Sequence, residues 1–76
     1  MQCDHQKVLE MAQAGDWEGA HSIVQKHSDE LSCLVHGYLH RVEGDLANTA
    51  YWYGQGNAKL PANTLEEEWQ RLSTLL

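Results

Sequence analysis

The segment LSCLVHGYLHRVEGDLANTAYWY, Leu31 to Tyr53, holds the pattern on which the fold turns. Wound at about 100° per residue, Leu31, Leu34, Val35, Tyr38 and Val42 fall on one stripe with Leu39 beside it, as in an amphipathic α-helix. Cys33, His36, Gly37 and His40 lie on the opposite side. Gly44 stops this helix, and Asp45 follows as an N-cap whose carboxylate can accept from the free amides of the next turn. In the helix so begun, Leu46, Thr49, Ala50 and Tyr53 share a face, while Asn48, Tyr51 and Trp52 project from the other side. The stretch is predicted to be a helical hairpin.

The same signals continue outward on both sides. Val8, Met11 and Ala12 recur at helical spacing between Asp4 and Ala14, where Gly15 is a stop and Asp16 a new N-cap. Trp17, Ala20, Ile23 and Val24 give a second helix ending near His27, and Ser28 and Asp29 offer the next start. Beyond the hairpin, Gly54-Gln55-Gly56-Asn57 and Pro61 predict a loop of about ten residues. Thr64 and Glu67 then form a capping box, ahead of Leu65, Trp69, Leu72 and Leu76 on one amphipathic face. Glu66, Glu67 and Glu68 sit in that first turn, where carboxylates favour the positive end of the helix dipole. No alternating run suggests a strand. The expectation is an all-α chain of about five short helices, two hairpins plus a C-terminal amphipathic helix. They form a single domain over residues 1–76, with residues 1–4 disordered.

Composition narrows the function classes. Eleven acidic against five dispersed basic residues give a formal charge of −6, which argues against nucleic-acid backbones and anionic membranes. No apolar run is long enough to span a bilayer, and the N-terminal MQCDHQ lacks the features of a secretory signal. A cytoplasmic protein with Cys3 and Cys33 as reduced thiols is expected. Three Trp, three Tyr and no Phe mean that every large aromatic ring carries a polar tip that needs water or a partner. Charging of the five His in mild acid would carry the net charge from −6 towards −1 and lower solubility between pH 7.5 and 5.5.

Gly15-Asp16-Trp17 and Gly44-Asp45-Leu46 recur 29 residues apart, each at a turn between helices. With Gly37 at a close-packing position, Gly44-Asp45 at the turn, Tyr53 as packing aromatic and Pro61 closing the unit, Leu31 to Pro61 resembles a tetratricopeptide-type repeat. Cys33, His36, His40 and Gly56 depart from the residues usual in that repeat, and the period is shorter than its usual length of about 34. HGYLHRVEGDLANTAYWY, His36 to Tyr53, is also similar to a small family of uncharacterised bacterial helical proteins, a likeness that carries no activity. The repeat resemblance implies stacked hairpins and a protein-interaction role.

Two functional readings follow. The first is a non-enzymatic interaction module that binds a protein or peptide, including a second copy as a homodimer, through Asn48, Tyr51 and Trp52. Two placements of the rings are open: display at an interface, or cover by the last helix through Leu65, Trp69 and Leu72, of which cover is preferred. The second reading is a small metal- or ligand-binding protein in which His36 and His40, four apart on one face, and Glu43 hold zinc with an open position; packing of the histidines against Trp or Tyr, with a ring nitrogen bonded to a backbone carbonyl, is the preferred account of the same residues. Cys33 can meet His36 on the same face, but a half-buried structural thiol is the preferred reading. His5, His21 and His27 look scattered.

Overall fold

A computed structural model describes residues 2–76. They form α1 (His5–Gln13), α2 (Trp17–Val24), α3 (Glu30–Val42), α4 (Leu46–Gln55) and α5 (Leu65–Thr74), with no strand among the described residues. The chain is all-α, as its periodicity predicts. Every helix is started by a side chain that accepts from the amide three residues on: Asp4, Asp16, Asp29, Asp45 and Thr64. At Thr64 the capping box is complete, with Glu67 reaching back to the cap amide.

The two predicted turns are built alike. Gly15 and Gly44 take φ of +88° and +87°, a left-handed conformation that costs glycine nothing, and the aspartate after each donates its backbone N–H back to Met11 or His40 at 2.9 Å. α1 thereby folds against α2, and α3 against α4. Cys3 packs on the core and Asp4 caps α1, so the expected disorder at residues 1–4 does not reach them, and Met1 lies outside the described residues. α2 ends at Val24, short of His27.

α3 sits at the centre and packs against all four other helices. Nine consecutive residues, Ser32 to His40, are buried, so the side opposite its apolar stripe is as enclosed as the stripe itself. α4 crosses it closely. A Cβ at Gly37 would lie 2.6 Å from the Tyr53 ring, and one at Gly56 would lie 2.8 Å from Leu34, so the contact line on α4 runs through Thr49, Tyr53 and Gly56. This corrects the predicted inner face. Leu46 and Ala50 turn out to solvent, Leu46 with 58% of its surface exposed, because the two glycines fix where α4 touches. Packing also carries the helix through Gly54 to Gln55, where the local sequence predicts a break.

α5 lies on α1 and α3. Trp69 donates its indole N–H to the Leu9 carbonyl at 2.8 Å, and Leu72 is fully buried. Glu68 departs from expectation: it is fully buried rather than a solvated first-turn carboxylate. It accepts from Arg71 through two bonds of 2.8 Å, from Asn63 at 2.9 Å and from the Tyr53 hydroxyl, while Arg41 of α3 grips Asn63 from the other side. Burial alone would raise this carboxyl, and the bonds from Arg71, Tyr53 and Asn63 outweigh it, holding it below the usual range. α5 thus leaves the outer face of α4 uncovered.

The crossing at Gly37 generates a test. Gly37→Ala must displace the Tyr53 ring and is expected to lower the unfolding free energy in urea by about 1–3 kcal/mol. Gly54→Ala, with nothing within 4 Å of its Cβ, should leave stability unchanged or raise it by up to about 1 kcal/mol. Equal effects of the two substitutions would contradict this packing account.

Candidate functional site

The enclosed polar side of α3 meets α2 and α4 in a cluster of rings. α2 presents Trp17 and, one turn on, His21; α3 presents His36 and His40; α4 presents Trp52. Trp17 stacks on His21 with centroids 4.7 Å apart, and Trp52 stacks on His36 at 4.0 Å. His36 and His40 stack at 5.0 Å, and His21 meets both edge-on. The indole N–H of Trp17 is tied to the Leu39 carbonyl at 2.6 Å, which fixes one wall of the cluster to the backbone of α3.

Three imidazole nitrogens, one each from His21, His36 and His40, lie within 4.8 Å of one another. His36 Nε2 and His21 Nε2 are 3.1 Å apart, a distance that two protonated nitrogens cannot hold, so this pair shares at most one proton. His36 Nδ1 is buried with no hydrogen-bond partner among the described residues. His40 Nδ1 meets Glu43 Oε1 at 2.6 Å. A neutral imidazole that donates Nδ1–H to a carboxylate keeps the lone pair on Nε2, the form that ligates metal.

Burial, then the neighbouring His21 and His40, pushes His36 down from 6.5 to about 4. Burial also lowers His21, with His40 adding to the effect and Glu43 opposing it. Both rings are therefore neutral at physiological pH, and the charge expected to build up in mild acid is smaller than five titrating His imply. The corresponding loss of solubility at pH 5.5 is smaller too.

The predicted site residues separate into two sets. His36 and His40 do converge, with His21 as the third member, while Glu43 meets His40 at Nδ1 and groups with His40 and Asp45 rather than with His36. Asn48 is partly buried beside the cap of α4, donating to Asp45 at 3.3 Å. Trp52 is partly buried on His36 rather than under α5, and Tyr51 stays 56% exposed. Cys33 points its thiol at the Ser28 carbonyl, 3.7 Å away, and burial raises it, so it is not an activated nucleophile beside His36. His21 escaped the sequence reading. Its one local signal is the Trp17–His21 spacing of i, i+4, which puts an aromatic and an imidazole on one face of α2.

A cavity of about 420 Å³ at the N-terminal end is lined by Cys3, His5, His27 and Asp29. Its His5 is already held by Ser32 at 2.8 Å and Asp29 at 3.1 Å. No family model, curated protein sequence or solved structure matches this chain.

The buried neutral histidine makes stability depend on pH. Below pH 6.5 the unfolded chain takes up a proton that folded His36 refuses, so stability present above pH 6.5 is lost as pH falls to about 4. The loss attributable to His36 is up to about 3 kcal/mol. Urea midpoints at pH 7, 5.5 and 4.5 should fall in that order, and His36→Gln should flatten the slope; an unchanged slope in the variant would show that His36 is not the group responsible.

Proposed function

We propose that the chain binds a divalent transition-metal ion, zinc foremost, through His21, His36 and His40. The convergence of three buried or half-buried imidazole nitrogens from two helices supports this reading. Imidazole suits zinc, copper and nickel, and a tetrahedral centre with metal–nitrogen bonds of 2.0–2.1 Å has ligand nitrogens about 3.3 Å apart. The His21–His36 pair already stands at 3.1 Å, so little movement of either ring is needed. Glu43 fits the carboxylate that orients a ligating histidine from behind. The two indoles stack on the rings of His21 and His36, contacts that would restrict their reorientation before an ion arrives.

Such an ion would join α2 to α3, and binding would therefore stabilise the folded chain by mass action. Chelator-treated protein should take up one Zn²⁺ per chain with a raised thermal midpoint. His21→Ala, His36→Ala and His40→Ala should each remove that uptake, and Glu43→Gln should weaken it about 10–100-fold. Undiminished affinity in His21→Ala would refute the ligand set.

A protein-interaction role rests on a different observation. From Leu46 to Gln55 no side chain of α4 carries a formal charge, although the whole chain carries −6. Leu46, Ala47, Ala50 and Tyr51 stand exposed on its outer side, with Val42 exposed close by in sequence. An acidic chain can meet a second copy of itself across this uncharged face without opposing like charges, and its hairpin resembles tetratricopeptide-type interaction modules. Sedimentation equilibrium is expected to show a concentration-dependent dimer that Leu46→Glu shifts to monomer; a wild-type chain monomeric at every concentration would exclude self-association.

A further inference from the structure

We infer that the histidine centre is an open one, whose fourth position takes water or a small monovalent anion from solvent. The inference rests on the metal reading above. Donor count is its first ground. Among the described residues no fourth His, Cys, Asp or Glu donor joins His21, His36 and His40 at the same mutual distance. Each nearby candidate is committed elsewhere: Glu43 to Nδ1 of His40, Asp45 to the Asn48 amide at the start of α4, and the Cys33 thiol to the Ser28 carbonyl. Tetrahedral sites closed by four protein ligands are structural, whereas three protein ligands leave a place for an exchangeable molecule.

Charge is the second ground. Three imidazole ligands, each neutral when it binds through a lone pair, do not offset the charge of a divalent ion. Glu43 supplies one negative charge at one remove, leaving an excess positive charge in a half-buried setting that favours one further anion. Hydroxide is the anion always at hand, formed when the bound water releases a proton to solvent.

Placement is the third ground. α2 and α4 both pack on α3 but not on each other. Their side chains Trp17, His21 and Trp52 are only half-buried, so solvent reaches the α2 and α4 sides of the ring cluster while His36 and His40 stay buried. Crowding by five rings with centroids 4.0–5.8 Å apart restricts the ligand to a few atoms.

Cobalt(II) is the probe, because its visible spectrum reports coordination. The full chain loaded with Co²⁺ should show the intense absorption of a four-coordinate ion, lost in His21→Ala, and azide should shift it saturably with one-to-one stoichiometry. Thiocyanate should compete, and the apparent azide affinity should fall about tenfold per pH unit once the bound water has lost its proton. One Co²⁺ per chain with a spectrum indifferent to azide, thiocyanate and pH would overturn the open position and leave the metal reading intact. Failure to take up either Co²⁺ or Zn²⁺ would end both.

Discussion

A central helix without a solvent face is the constraint from which most of this structure follows. α3 is contacted by every other helix, and its buried run from Ser32 to His40 includes, besides Tyr38, four polar or weakly polar side chains. A buried polar group without a partner costs on the order of 1–3 kcal/mol, so each must be answered from a neighbouring element. Ser32 is met by Asp29 at the cap and by His5 from α1, Cys33 by the Ser28 carbonyl, and His40 by Glu43 one turn on. Among the described residues only His36 keeps a buried nitrogen unanswered. Gly37 belongs to the same constraint, because a helix enclosed on all sides needs one neighbour to come unusually close.

Glu68 plays the corresponding part for the last helix. A carboxylate with no exposed surface survives only where its charge is compensated and its oxygens are bonded, and the Arg71 fork, Asn63 and Tyr53 provide both. Removing one partner of such a pair typically costs about 3–5 kcal/mol, because a buried charge is left uncompensated. The node fixes the loop before α5 through Asn63 and Arg41 and ties α5 to the inner side of α4 through Tyr53. Trp69 anchors the other side of α5 on α1. Held at these points, α5 cannot reach Tyr51, and the outer face of α4 is left to solvent.

Local chemistry was legible in the sequence and tertiary choice was not. The N-caps Asp16, Asp45 and Thr64 and both glycine turns could be read, because capping and left-handed φ depend on residues within one turn. The inner face of α4 could not. Leu46 and Ala50 are as apolar as any inward-facing pair, and what turns them out is the fit of Tyr53 over Gly37 and of Gly56 over Leu34, on another helix. Glu68 was hidden for a related reason: in a first turn its charge is already explained by the helix dipole, and only the approach of Tyr53 and Asn63 shows that it is buried. Of the candidate centre, the i, i+4 pair His36 and His40 was visible. His21 was not, since its distance from them is set by how α2 lies on α3.

Whether the histidines are core filling or a ligand set turns on how their hydrogen bonds close. Three imidazoles that merely filled space would be expected to spread their nitrogens towards carbonyls, hydroxyls or water, as Trp17 and Trp69 do with their indole N–H groups. Instead two of them bond nitrogen to nitrogen, the third is bonded through Nδ1 to Glu43, and among the described residues one buried nitrogen, His36 Nδ1, has no partner. Burial pushes the outcome further the same way, because keeping His36 and His21 neutral preserves the lone pairs that a cation needs and removes the mutual repulsion that would drive the rings apart. At 3.1 Å one ring of the His21–His36 pair donates and the other accepts, so the ion proposed above would require the donating ring to move its proton from Nε2 to Nδ1. Small size gives the same ion a structural consequence: a 76-residue core has little stability to spare, so a ligand joining α2 to α3 would make folding and metal uptake one equilibrium.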